Sequence, residues 1–157
     1  MKLPSSVQNS IYSAENVLKR NHFAQREFFK HKLRWNFPMS INLETTNHCN
    51  LRCIMCPRHL TDRGFGLMDD GLYQKLIDEI ANNGGVEVLT LIKDGESLIH
   101  PRVHELIAYA KERKAARRIE IFSNAILLDE NRAIKLIEAG LDVLNVSLDA
   151  MNSETYK

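Results

Sequence analysis

The sequence is short of several things, and each shortage excludes something. There are only three cysteines in 157 residues, so no disulfide framework holds this fold together. No apolar run approaches the ~20 residues needed to cross a bilayer. The first residues, MKLPSSVQNSIYS, lack the apolar stretch of a secretory signal. Neither sign of charge is in excess: 21 Lys and Arg face 20 Asp and Glu, for a formal net charge of +1. No global field therefore attracts nucleic acid or an acidic surface. With four prolines and seven glycines the chain is neither collagen-like nor of low complexity, and no internal repeat is visible. The rest is ordinary globular composition, 44% hydrophobic and 26% charged. The expectation is a soluble, cytoplasmic chain with neither membrane nor nucleic acid as partner.

The first 40 residues form one region. Lys19, Arg20, Arg26, Lys30, Lys32 and Arg34 make it basic, as a solvated helix face would be. Ile11, Val17, Leu18, Phe28, Phe29 and Leu33 recur at roughly helical spacing, and Pro38 ends the pattern. We read residues 1–40 as an N-terminal helical extension. The core then runs over residues 41–157.

From residue 41 strands and helices alternate. INLETT (41–46), VEVLTLI (86–92), RIEIFS (118–123) and DVLNVSL (142–148) are strand candidates. Asp69 or Asp70 caps a first helix whose apolar face is Leu72, Leu76, Ile77 and Ile80, stopped at Gly84-Gly85. Pro101 opens a second, with Val103, Leu106, Ile107 and Ala110 on one face. Asp129 caps a third that runs through Leu136 and Ile137 to Gly140. NSET (152–155) looks like the first turn of a fourth. Strands separated by such helices make a parallel sheet with right-handed crossovers. The fold class is α/β with four βα units, the last one cut short.

Loops at the C-terminal ends of parallel strands are where such folds place their sites. Cys49, Cys53 and Cys56 follow the first strand, and Gly95 and Glu96 the second. Ser123 and Asn124 end the third; Asn145, Ser147 and Asp149 lie in or just after the fourth. Four polar clusters in succession at one end of a sheet point to one shared site.

Three sulfurs lie within eight residues, 49–56. Cubane iron–sulfur clusters are usually held by four thiolates. Three leave one iron open, as a reactive metal needs. A zinc reading competes: with His59 the cysteines would close a Cys3His shell, and His48 is a second imidazole. His100 and His104 read as surface or helix-start histidines.

Cys49-x3-Cys53-x2-Cys56 resembles the cluster motif of the radical S-adenosylmethionine (SAM) enzymes. The wider LETTNHCNLRCIMCPR is similar to the branch that often carries a C-terminal SPASM extension. The resemblance covers about residues 41–157. It implies a partial TIM-type (βα) barrel, normally of six units, and two cofactors, a 4Fe-4S cluster and SAM. By the resemblance, Cys49, Cys53 and Cys56 ligate three irons, and the fourth chelates the SAM methionine. Gly95-Glu96 matches a GE motif that holds the methionine ammonium, a fitting partner for a carboxylate. Ser123 and Asn124 match contacts near the SAM carboxylate or ribose, Ser147 and Asp149 match contacts to ribose and methionine, and Met55 lies by the adenine. The implied activity is reductive cleavage of SAM to a 5′-deoxyadenosyl radical that takes hydrogen from the substrate.

The chain departs from that pattern in places. Met55 stands where an aromatic is usual, DGES where GGEP is common, and Ala125 where a glycine usually follows Asn124. Four strands instead of six leave the last strand as an open edge. The expected partners are a small electron donor of flavodoxin or ferredoxin type, a small-molecule or peptide substrate, and a second chain that completes the barrel. A zinc-stabilised binding domain and an inactive truncated remnant are the alternatives.

Overall fold

The computed structural model describes residues 37–150 together with Asn152, Glu154 and Thr155. The expected helices of the N-terminal extension lie outside the described residues. The elements are β1 (Ser40–Asn42), α1 (Asp70–Asn82), β2 (Val86–Thr90), α2 (Val103–Glu112), β3 (Ala116–Ser123), α3 (Glu130–Glu138) and β4 (Val143–Val146). Single 3-10 turns stand at Pro57–Leu60 and Ser97–Ile99. The four strands pair in chain order, all parallel.

Register decides which residues share a face. Ile41 lies opposite Leu89, Leu89 opposite Ile119, and Ile121 opposite Leu144. Leu89, Ile119 and Ile121 are buried together with Ile77 and Ile80 of α1, Ile107 and Ala110 of α2, and Leu136 of α3. Each large apolar side chain so buried contributes about 1.5–3 kcal/mol by removal from water. Alternation puts the intervening residues on the other face, where Asn42 pairs with Thr90 and Thr90 with Glu120. Ser40, Asn42, Val88, Thr90, Arg118, Glu120 and Phe122 line an open groove there.

The helices start where side chains satisfy their first amides. Asp69 accepts from Leu72 N (2.9 Å) and Asp129 from Arg132 N (2.7 Å). Asn152 accepts from Glu154 N and Thr155 N, the expected last turn. Gly140, at φ 83°, ends α3 in the left-handed conformation.

Four expectations need correction. The first strand ends at Asn42, not residue 46. Leu43 N still bonds Thr90 O (2.8 Å), but Thr46 pairs antiparallel with Leu67 instead of the sheet. On α1 the buried residue is Tyr73 rather than Leu72. Its hydroxyl donates to Leu106 O (2.8 Å), which allows a phenol inside, and burial pushes its pKa up. On α3 only Leu136 is buried, and Ile137 faces outward. His100 is neither on the surface nor at the helix start: it is buried at the end of the 3-10 turn, with Nδ1 accepting from Arg102 N (3.2 Å).

Candidate cofactor site

Parallel order brings the four expected clusters to one rim. The cysteine loop leaves β1 and returns to α1 through a narrow neck. Asn47 closes that neck, donating from Nδ2 to Gly64 O (2.9 Å) and accepting from Gly66 N at Oδ1 (2.8 Å). Thr46 Oγ1 adds a bond to Gly66 O (3.0 Å). Inside the loop contacts are sparser. Cys56 N donates to Cys53 O (3.0 Å), and Arg58 donates to Leu51 O (3.0 Å). The Arg58 guanidinium also lies over the Phe65 ring, itself edge-on to His48. Ile54, at 94% exposure, and Met55 are both exposed.

All three cysteines are free thiols and half-buried. The Leu51 amide lies 3.4 Å from Cys49 Sγ and Asn124 Nδ2 lies 4.0 Å from it. Both are hydrogen-bond donors to that sulfur.

The loops after β2 and β3 are built differently. Glu96 is 2% exposed. Its Oε1 accepts from Ser123 Oγ (2.7 Å) and Leu98 N (3.0 Å), and its Oε2 from Asn124 N (2.8 Å). No cation pairs with it among the described residues. Two bonds fill Oε1, while Oε2 keeps room for one more donor. Asn124 then reaches across to Asn50 Oδ1 (2.8 Å), tying the third loop to the cysteine loop. Ser123 Oγ also accepts from Ala125 N (2.9 Å), and Ala125 is held at φ 58°.

Gly95 answers a need for room rather than torsion. A Cβ there would collide with the carbonyl oxygen of Thr46 and lie 2.9 Å from that of His48. Beside it, Glu96 N donates to His48 O (2.6 Å). The backbone just before Cys49 is thus stacked directly on the loop after β2.

At β4, Ser147 N continues the ladder to Ser123 O (2.9 Å), and its exposed side chain borders the open groove. Asp149 lines a cleft of ≈ 400 Å³ with Leu51, Cys53 and Met55. The structure therefore gathers the cysteine loop, Gly95, Glu96, Ser123 and Asn124 through direct contacts. It sets Met55 and Asp149 around an adjoining cleft and leaves Ser147 on the open face.

The family model of the radical SAM superfamily matches residues 43–157. This chain belongs to the radical SAM superfamily. It is similar to the probable GTP 3′,8-cyclase of Methanocaldococcus jannaschii, 36% identical over 118 residues, which are 75% of this chain and 39% of that protein. It is also similar to the AdoMet-dependent heme synthase of Methanosarcina barkeri, 33% identical over 77% of this chain and 34% of that protein. Among solved structures, BtrN in complex with AdoMet and 2-DOIA superposes with a TM-score of 0.65 at 26% identity, over 71% of this chain and 46% of that one. Methylornithine synthase, at 19% identity and a TM-score of 0.55, shares the fold. These neighbours are partial TIM barrels, and the fold here is the corresponding α/β parallel sheet. The chain spans about two fifths or less of the length of the curated relatives it matches.

Radical SAM enzymes use a 4Fe-4S cluster and SAM, and the donor set here fits them. Three free thiols with amide donors beside one sulfur suit thiolate ligation, in which each would bind a separate iron of a cubane. A shared single ion would need donors drawn together, and among the described residues no three His, Cys, Asp or Glu side chains are so placed. The His59 side chain lies outside the described residues. No described helix is long and apolar enough to cross a membrane.

Sequence reasoning missed Arg63, Glu44, Asn47 and Asn50. Arg63 binds Glu44 through both guanidinium ends and also binds Asp94. The only signal was Asp94 standing where glycine is common, which drew notice as a departure without revealing its partner.

Proposed function

We propose that this chain is the N-terminal part of a radical SAM enzyme in which Cys49, Cys53 and Cys56 hold the cluster. Gly95, Glu96, Ser123 and Asn124 hold the methionine end of SAM, and Met55, Ser147 and Asp149 border its nucleoside. One observation carries the reading. Glu96 is a buried carboxylate with no cation partner among the described residues and one acceptor site to spare, at the rim that bears three free thiols. A buried charge is costly until it is paired, and an ammonium group supplies that pair.

When bound, the cluster and SAM supply a 5′-deoxyadenosyl radical that takes a hydrogen atom from the substrate. The chain's own residues bind and orient. Ser123, Leu98 and Asn124 hold the Glu96 carboxylate in place. Asn124 keeps the cysteine loop against that carboxylate through Asn50. The open face, with Asn42, Thr90, Arg118 and Glu120, forms one wall of the substrate cavity and suits a polar substrate. A small electron-donor protein reduces the cluster, and further βα units, on this chain or another, complete the barrel beyond β4.

Anaerobic reconstitution with iron and sulfide tests the reading. Expected are about four irons per chain and an EPR signal of the reduced protein that changes on adding SAM. His59→Ala should leave both intact. One zinc per chain, no iron and no response to SAM would replace the enzyme with a zinc-held domain, which His59→Ala would then unfold.

A further inference from the structure

We propose that Arg63 is a positioning residue: through Glu44 and Asp94 it sets the distance between the cysteine loop and the loop that carries Glu96. This inference rests on the cofactor site proposed above. Three segments far apart in sequence meet at one guanidinium. Arg63 lies on the returning arm of the cysteine loop, just before the neck closed by Asn47. Its Nη1 reaches Glu44 Oε2 at 2.6 Å, and its Nη2 reaches Glu44 Oε1 at 3.2 Å and Asp94 Oδ2 at 2.9 Å. Asp94 N closes the triad by donating to Glu44 Oε1 (3.2 Å).

The geometry is that of a clamp. Glu44 stands just past β1, before the cysteine loop departs, and Asp94 lies in the loop after β2. A two-ended Arg–carboxylate pair fixes direction as well as distance, because the donors form a rigid fork. The Arg63 bond is the chief reason the Glu44 carboxyl titrates below its ordinary value. The residue after Asp94 is Gly95, packed without spare room on Thr46 and His48, and the next is Glu96, bonded through its amide to His48 O. A shift at Asp94 therefore passes to the Glu96 amide and to the backbone next to Cys49. Arg63 bonds neither a cysteine nor Glu96, so its influence is indirect. Lys cannot replace it in full, since an ammonium lacks the planar fork.

The test uses the full chain as wild type, Arg63→Ala, Arg63→Lys, Asp94→Asn and, as a surface-charge control, Arg117→Ala. Arg117 is highly exposed and, among the described residues, its one ion pair is with Glu87, at 3.7 Å. After anaerobic reconstitution, iron content and SAM affinity by titration calorimetry are measured. Hydrogen exchange at the Gly66 and Glu96 amides is followed in the metal-free protein. Arg63→Ala should keep wild-type iron but bind SAM about tenfold more weakly, the usual scale for residues that orient ligands. Arg63→Lys should recover part of the loss, and Arg117→Ala should show none. Exchange at both amides should quicken in Arg63→Ala. Where that variant does not fold, Asp94→Asn carries the same expectations at smaller size. Unchanged SAM affinity and unchanged exchange would overturn the clamp. So would loss of iron, SAM binding and folding stability in equal measure, which marks a merely structural ion pair. If wild type takes up no iron, the cofactor reading falls, and exchange alone decides whether the clamp holds the two loops together.

Discussion

The two sides of the proposed site are built on opposite plans. Around Glu96 every donor is met, the carboxylate is buried, and the backbone leaves no room for a Cβ at Gly95. Around the cysteines the thiols are half-exposed, Ile54 and Met55 face solvent, and only a few bonds cross the loop. The first side is organised by the protein alone. The second is pinned at its neck and leaves its inner geometry to what the thiols bind. Preorganised groups suit a ligand that exchanges in each cycle, because orienting it then costs little at the moment of binding. A metal site rarely preforms fully, since metal binding supplies the ordering energy.

That contrast can be broken at several places. Gly95→Ala should have the largest effect, a loss of about 3 kcal/mol, because the new methyl meets backbone carbonyls that have nowhere to move. A urea midpoint equal to wild type would show that the two loops separate easily. Glu96→Ala should cost about 2–3 kcal/mol, since it strands the Ser123 hydroxyl and the amides of Leu98 and Asn124. A neutral outcome in the same assay would mean that water takes over these donors.

His100 offers a pH probe of the well-ordered side. Burial lowers its pKa, with Arg102 opposing the proton and Asp70 and Glu105 favouring it. The unfolded imidazole therefore binds its proton first as pH falls. Stability present above about pH 6.5 is lost on acidification through the lower, folded value. Urea midpoints at pH 7.5 and 5.5 should differ more in wild type than in His100→Gln, and equal slopes would refute the assignment. On the other side, Cys53→Ala should change the metal-free midpoint by less than about 0.5 kcal/mol, as for exposed positions, while iron uptake collapses. A large metal-free loss would mean that the loop is ordered without metal.

Ala125→Gly should have a small effect of the opposite sign. An alanine at φ 58° pays about 1–2 kcal/mol for the left-handed conformation. Glycine removes that strain but loses more chain entropy, for a net gain of about 0.5 kcal/mol. An unchanged or lower midpoint would show that the Ser123 turn carries no strain.

Much of this was legible in advance because it is local. Asp69 and Asp129 cap their helices as the pattern required, and Val103, Leu106, Ile107 and Ala110 form the buried face of α2 as their spacing required. Tyr73 displaced Leu72 because the carbonyl of Leu106 lies within reach of a phenol, a fact about α2 rather than α1. The outward turn of Ile137 depends likewise on what packs beside α3.

The sequence by itself determined the alternation of strand and helix, the rim on which the polar residues gather, and the thiol spacing that marks the family. Periodicity, caps and spacing act within a few residues, so they can be read along the chain. Only the tertiary structure decided that Glu96 spends its carboxylate on Ser123, Leu98 and Asn124, that Gly95 lies against Thr46, and that Arg63 joins Glu44 to Asp94. Those contacts depend on strand register and on where a long loop returns, which no short-range pattern encodes.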